Sequence, residues 1–356
     1  MVTVRPCVRV LKQLYEAGSL PPAVAAAYKA AKGTDDHEQK VRYLEEAVRI
    51  AGEQLDLVTV VQKQFEHNRF EQHKTLSSLA GTPVFEAREK RRKDSPAWRG
   101  AIVQHSETGC AWLVHAGIHD HFHAEARTVI VAMRNTGKLG PSSIDLKILE
   151  LAQRIDASRE TQRAFLMSLL GGIQESVATG EKVAFGLKGD SPQEWLNVTV
   201  SVSTDSFREW EIESAHTDLD MVCVEIERGP DWDFFEAFLG TCVTYVQPDE
   251  DLVEQLNSFP FIMNMAVSRA RLASLMDVAG EELPTGYRAS ARTEQLHYAN
   301  KTSLTESLVL GKALQAVCGR WWVPVGDEVT HGNLPICEDC EREMPVAQVL
   351  DNWVRG

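Results

Sequence analysis

From His297 to Pro345 the chain reads HYANKTSLTESLVLGKALQAVCGRWWVPVGDEVTHGNLPICEDCEREMP, and the reading of this stretch decides how the C-terminal end folds. Cys337 and Cys340 form a C-x-x-C pair just after a Pro-Ile step. Two thiolates at that spacing reach one ion from a tight turn, and Zn²⁺ is the ion that four sulfur and imidazole ligands usually select. Cys318 supplies a third sulfur, from a Cys-Gly step ahead of the apolar run Trp321-Trp322-Val323. The fourth ligand has to be a histidine, and both His297 and His331 are candidates. Trp321 and Trp322 are expected to pack beside the ligands. A redox pair or two ordinary buried thiols are the competing readings of the C-x-x-C. The first lacks the strand-helix context of a thioredoxin-type motif, and neither accounts for the third cysteine.

The same stretch carries His297-Tyr298, Glu306-Ser307, Gly311-Lys312, then Ala316-Val317-Cys318-Gly319 running into Trp322-Val323-Pro324, and finally Pro335-Ile336-Cys337 with Cys340. On these residues it resembles a family of short, uncharacterised actinobacterial proteins with a zinc-ribbon-like domain of unknown function. The resemblance covers only the last sixth or so of the chain. It implies a bacterial source and a metal site, and it favours His297 over His331, because the family pattern opens on a histidine followed by an aromatic. The segment from Asp327 to Asn333, which contains His331, reads as an insertion into that pattern. The family brings no activity with it.

A chain of 356 residues can bury a large core and is expected to fold as two or three domains. Its start, MVTVRPCVRVLKQLYEAG, lacks the apolar core and cleavage site of a secretory signal, and no stretch of eighteen apolar residues is present, so a cytoplasmic protein without a membrane span is expected. Cys7, Cys110, Cys223 and Cys242 are scattered singly rather than spaced as a disulfide framework, which agrees. The net charge is −14, and Asp205 to Glu254 alone holds fifteen carboxylates against Arg208 and Arg228. Such a surface repels phosphate backbones, so a nucleic-acid partner is disfavoured and a protein partner is expected.

Taken in order, Pro21-Pro22 opens a short alanine-rich helix closed by Gly33, and Asp35 with Glu38 is expected to cap a long helix starting near His37. Val41, Leu44, Val48, Ala51, Leu55, Val58 and Phe65 form one apolar stripe, which either packs inside the protein or makes a homodimer seam. The basic run Arg88 to Lys93 has no interleaved aromatics and reads as a linker. Alternation on either side of Ser106 to Gly109 reads as a hairpin. Ser142 or Ser143 caps a further helix, interrupted at Gly171-Gly172. Strands are expected at Val183 to Leu187, at Leu196 to Val202, and at Met221 to Glu227, joining the hairpin in one mainly antiparallel sheet. Asp231 starts an aromatic helix, Pro248 to Asp251 opens another, and Ile262 to Met276 continues it. Ala279 to Arg292 reads as a linker.

The second constellation is His115, His119, Asp120, His121 and His123. On a helix, His119 and His123 share a face with Asp120 beside the first, the H-E-x-x-H spacing with a shorter carboxylate. The bland alternative is a hairpin-to-helix junction with partly exposed histidines.

These observations define an α+β chain: an N-terminal helical region (1–94), an acidic domain with a mainly antiparallel sheet and packed helices (95–280), and a zinc-ribbon-like module (288–356). No P-loop, dinucleotide fingerprint or G-x-S-x-G elbow is present. The expected function is a zinc-binding, non-catalytic, protein-binding and regulatory module with His297, Cys318, Cys337 and Cys340 as ligands. The alternative is a metal-dependent hydrolase or nuclease using His119, Asp120 and His123.

Overall fold

The computed structural model describes residues 2–67, 70, 72–89, 97–203, 219–256, 259–277, 295–299, 304, 307, 313–324 and 334–344. The fold is α+β, and the chain divides into two compact units, Met1–Asp156 and Ala157–Gly356. Among the described residues no helix is long and apolar enough to cross a membrane.

The first unit is built on a four-stranded sheet in the order β1-β4-β3-β2, where β1 is Val4–Pro6, β2 Val84–Arg88, β3 Trp98–His105 and β4 Cys110–Ile118. The hairpin expected around Ser106 to Gly109 is β3-β4. Strand β1 joins β4 in parallel, so the sheet is mixed. Eight of the nine residues of β4 are buried, the signature of a strand covered on both faces. The helices packed on the sheet are α1 (Val8–Glu16), α3 (His37–Gln54), α4 (Asp56–Glu66), α5 (Lys74–Ala80) and α6 (Phe122–Asn135), while α2 (Pro22–Gly33) packs on α3 and α1.

The long stripe expected from His37 to Phe65 is two helices. At Leu55 the backbone turns extended (φ −86°, ψ 111°), and Asp56 begins α4. The N-cap of α3 is Asp36, whose carboxylate accepts from Gln39 N–H at 3.0 Å, rather than Asp35. Leu44, Val48, Ala51, Leu55 and Val58 are all buried in this unit's own core. The basic run read as a linker joins two paired strands, since Arg88 lies opposite Arg99; Lys90 to Lys93 lie outside the described residues.

The second unit carries a five-stranded, wholly antiparallel sheet, β5-β6-β7-β9-β8, with β5 Val183–Lys188, β6 Trp195–Ser203, β7 Leu219–Arg228, β8 Val253–Leu256 and β9 Phe261–Ser268. The early hairpin and the later strands therefore lie in two sheets, not the single sheet expected. Val198, Val200, Val222, Val224, Ile226, Met263 and Met265 form the buried face, against Phe165, Leu169 and Ile173 of α7 (Ser143–Thr179) and Phe235, Phe238 and Cys242 of α8 (Trp232–Tyr245). Asp231 caps α8 as expected, accepting from Phe234 N–H at 2.8 Å. The helices expected from Pro248 to Met276 are largely strand: Met263, Met265 and Val267 recur every second residue against β7, and among the described residues the helical parts are a single 3-10 turn at Glu250–Leu252 and the α-helix Arg269–Met276 (α9). The linker expected from Ala279 to Arg292 lies outside the described residues.

Helix α7 runs unbroken through Gly171-Gly172. A Cβ on Gly172 would sit 2.8 Å from the Phe185 ring, whereas one on Gly171 meets nothing within 4 Å. Gly171→Ala should therefore stabilise by about 0.5–1 kcal/mol, the ordinary helix gain. Gly172→Ala should destabilise by about 1–3 kcal/mol through overpacking against Phe185. Paired denaturant melts check the opposite signs, and two changes of the same sign would overturn the reading.

Candidate metal centre

Three chain segments converge at the C-terminal cluster, and backbone hydrogen bonds hold them together. The first is a hairpin of β10 (Leu314–Gln315) and β11 (Trp321–Trp322), closed by Ala316 N–H donating to Arg320 C=O at 2.7 Å. Gly319 turns it with φ 88°, a left-handed conformation that glycine adopts without strain, and this leaves Cys318 in the turn. The second segment is 334–344, where Cys337 C=O accepts from Glu341 N–H at 3.0 Å and a helical stretch over 338–344 carries Cys340. The third, 296–298, is bonded to both. Leu296 pairs with Ile336 through Leu296 N–H to Pro335 C=O (2.8 Å) and Cys337 N–H to Leu296 C=O (2.9 Å), while Val317 N–H donates to Tyr298 C=O (2.8 Å). His297 is thereby held between the two cysteine arms.

One ligand atom each from His297, Cys318, Cys337 and Cys340 lies within 4.8 Å of all the others. His297 Nδ1 is 3.6 Å from Cys318 Sγ and 3.5 Å from Cys340 Sγ, and Tyr298 N–H donates to Cys340 Sγ at 3.4 Å. Cys337 and Cys340 are buried, the other two partly so. Burial pushes the Cys318 thiol up to about 12, and the neighbouring sulfurs of Cys340 and Cys337 add to this. For Cys340 burial also works upward, but the Tyr298 N–H, His297 and Cys318 outweigh it and hold the thiol below its ordinary value. His331 lies outside the described residues.

The two tryptophans part company, as consecutive strand residues must. Trp322 lies beside His297, ring centroids 5.4 Å apart. Trp321 turns the other way into the core of the second unit, where its Nε1–H donates to Gln255 Oε1 at 3.1 Å. The hairpin is seated on α8 at Gly240, where an added Cβ would stand 3.0 Å from Ala313 C=O, and Ala313 N–H donates to Thr244 Oγ1 at 2.7 Å. Gly319 C=O accepts from Gln255 and Gln315, each at 2.8 Å.

The histidine run is arranged differently from the helical reading. Helix α6 begins at Phe122, so His119 and Asp120 precede it and only His123 lies on it, with His121 at the N-cap position. His119 Nδ1 faces Asp120 Oδ1 at 2.9 Å, and Arg99 donates to His119 Nε2 at 2.6 Å and to His123 Nε2 at 3.2 Å. His115, on β4, is buried with neither ring nitrogen hydrogen-bonded, stacked on Phe122, and burial holds its pKa down. A second group within 4.8 Å comprises His73, Glu86 and His123. There His73 Nδ1 accepts from Leu76 N–H at 3.2 Å as the N-cap of α5, which leaves the neutral ring's proton on Nε2. Arg99 also pairs with Glu86; burial works against that carboxylate's charge, but Arg99 and Arg88 win and hold its pKa below the usual range. Sequence reasoning missed Arg99, Glu86 and His73, which reach His119 and His123 across the sheet from distant positions.

Fold and site together define an α+β protein whose C-terminal Cys₃His group has the spacing of a four-ligand metal site. Residues 290–345, which hold all four of those side chains, match the model of the family described as "Protein of unknown function (DUF3039)"; the rest of the chain has no recognised family. No curated protein and no solved structure matches the chain.

Proposed function

We propose that the Cys₃His group holds a structural zinc ion, and that the protein is a cytoplasmic, non-catalytic module that binds another protein. One observation carries the metal: the Nδ1–Sγ separations of 3.6 and 3.5 Å. Zinc bond lengths of about 2.3 Å to sulfur and about 2.05 Å to nitrogen, at the tetrahedral angle, place such ligand atoms about 3.6 Å apart. Three sulfurs and one imidazole are a donor set that suits Zn²⁺. With four protein ligands there is no open position for water or substrate, which is the structural rather than the catalytic pattern. A bound cation also supplies the charge that a crowded pair such as Cys318 and Cys340 needs in order to lose both protons.

The support for a protein partner is electrostatic: Glu338, Asp339, Glu341 and Glu343 flank Cys337 and Cys340 in the chain with Arg342 as the one cation among them, paired with Asp339 and Glu343, and the whole chain carries −14. The hydrolase reading has less support, because the lone pairs that His119 and His123 would offer a metal point at Arg99 N–H groups, and a guanidinium does not give up its protons. Elemental analysis of purified protein should give one zinc per chain, unchanged in His119→Ala. Two metals per chain, with one lost in that variant, would reverse the order of the two readings.

A further inference from the structure

The second unit has an open cleft of about 560 Å³ that the metal centre does not use. Its floor is apolar, from Ile226, Phe235 and Leu239. On its rim stand two aromatics left largely in water: Trp232 is 49 % exposed and Phe259 85 %. One wall is Gln315 and Trp321 of the β10-β11 hairpin, whose turn carries Cys318.

Arg228 lies in this cleft with its guanidinium 4.8 Å from the Trp232 ring centre and 5.4 Å from that of Phe235. Stacking engages the faces of a guanidinium and leaves its in-plane N–H edge for hydrogen bonds. That edge makes one bond, to Gly229 C=O at 3.1 Å, and among the described residues Arg228 has no carboxylate partner. The lack is notable in the most acidic part of the chain. Asp231 is engaged in capping α8, Asp220 with Arg269, Glu225 with Lys182 and Asp251 with Arg320. A lone cation held over aromatic rings at an apolar cleft suits a ligand that joins one negative charge to one apolar group. A single guanidinium in a protein of net charge −14 favours a monoanion over a phosphate dianion.

We propose that the cleft binds the C-terminus of a partner protein that ends in a large apolar residue. The terminal carboxylate pairs with Arg228, and the last side chain enters between Trp232 and Phe259. The free end of a chain is the place where a protein offers a carboxylate one atom from an apolar side chain. This rests on the protein-binding reading above and specifies its partner.

The test is calorimetric titration of the purified full-length protein with an acetylated Gly/Ser pentapeptide ending in leucine, its C-terminal amide, and free 4-methylpentanoate. The acid peptide should bind, with the amide at least ~10-fold weaker, because a charge-assisted pair is lost. Arg228→Gln should bring acid and amide to the same weak affinity, and Arg228→Lys should restore part of the difference. Phe259→Ser, at a position too exposed to matter for folding, should weaken the acid peptide without altering metal content. Equal binding of acid and amide, no binding at 1 mM, or 4-methylpentanoate binding as tightly as the peptide would each overturn the proposal. Zinc stoichiometry is read separately, so a failed metal assignment and a failed cleft assignment give different results.

Discussion

Cys340→Ser should abolish stoichiometric metal binding and lower the melting temperature of the second unit by about 10 °C. Cys340 is fully buried, its sulfur accepts from Tyr298 N–H, and it lies 3.5 Å from the His297 nitrogen. A serine oxygen in its place is a poor zinc ligand and leaves a three-ligand site. Structural zinc contributes on the order of 10 kcal/mol in isolated peptides. Here part of the fold survives without it, because Trp321, Ala313 and Gly319 anchor the hairpin on the second unit. A net loss of about 3–5 kcal/mol is the expected remainder, and for a unit of this size that corresponds to roughly 2–4 °C per kcal/mol. Scanning calorimetry with zinc quantification decides it. An unchanged melt with one zinc retained would remove Cys340 from the ligand set.

The second large effect is expected in the first unit, at Asp145. This carboxylate is 2 % exposed and serves two helix starts at once. One oxygen accepts from Val8 N–H at the start of α1 (2.7 Å). The other accepts from the Ser142 N–H (2.8 Å) and hydroxyl (2.6 Å) at the start of α7, a reciprocal capping arrangement in which Ser142 Oγ accepts weakly from Asp145 N–H. Asp145→Ala leaves two backbone donors without their acceptor, each a loss of about 1–3 kcal/mol when buried. The expected destabilisation is about 3–5 kcal/mol, with Asp145→Asn intermediate because an amide offers one acceptor where two are used. A denaturant melt of Asp145→Ala within 1 kcal/mol of the parent protein would mean that water replaces the carboxylate.

What could be read without coordinates was local. Asp231 before an aromatic helix, the alternation from Leu196 to Val202, and a hairpin around Gly109 each depend on neighbours within a few residues, where propensity and periodicity act. The Cys₃His group was legible for a different reason: cysteine and histidine are rare enough, and C-x-x-C short enough, that ligand chemistry is visible before the chain is folded.

The sequence by itself thus determined an α+β chain, the Asp231 cap, and the metal-ligand candidates Cys318, Cys337 and Cys340 with a histidine, His297 or His331. Only the tertiary structure decided the rest. Ile262 to Met276 is apolar enough for either a helix or a strand, and pairing with β7 selected the strand for its first half. Trp321 and Trp322 look alike in a row, yet one strand step sends the first to the core and the second to His297. His119 and His123 have metal-ligand spacing, but their nitrogens are met by Arg99, which arrives from a neighbouring strand. In each case the deciding partner is distant in sequence, and its position follows from burying the whole sheet rather than from any local preference.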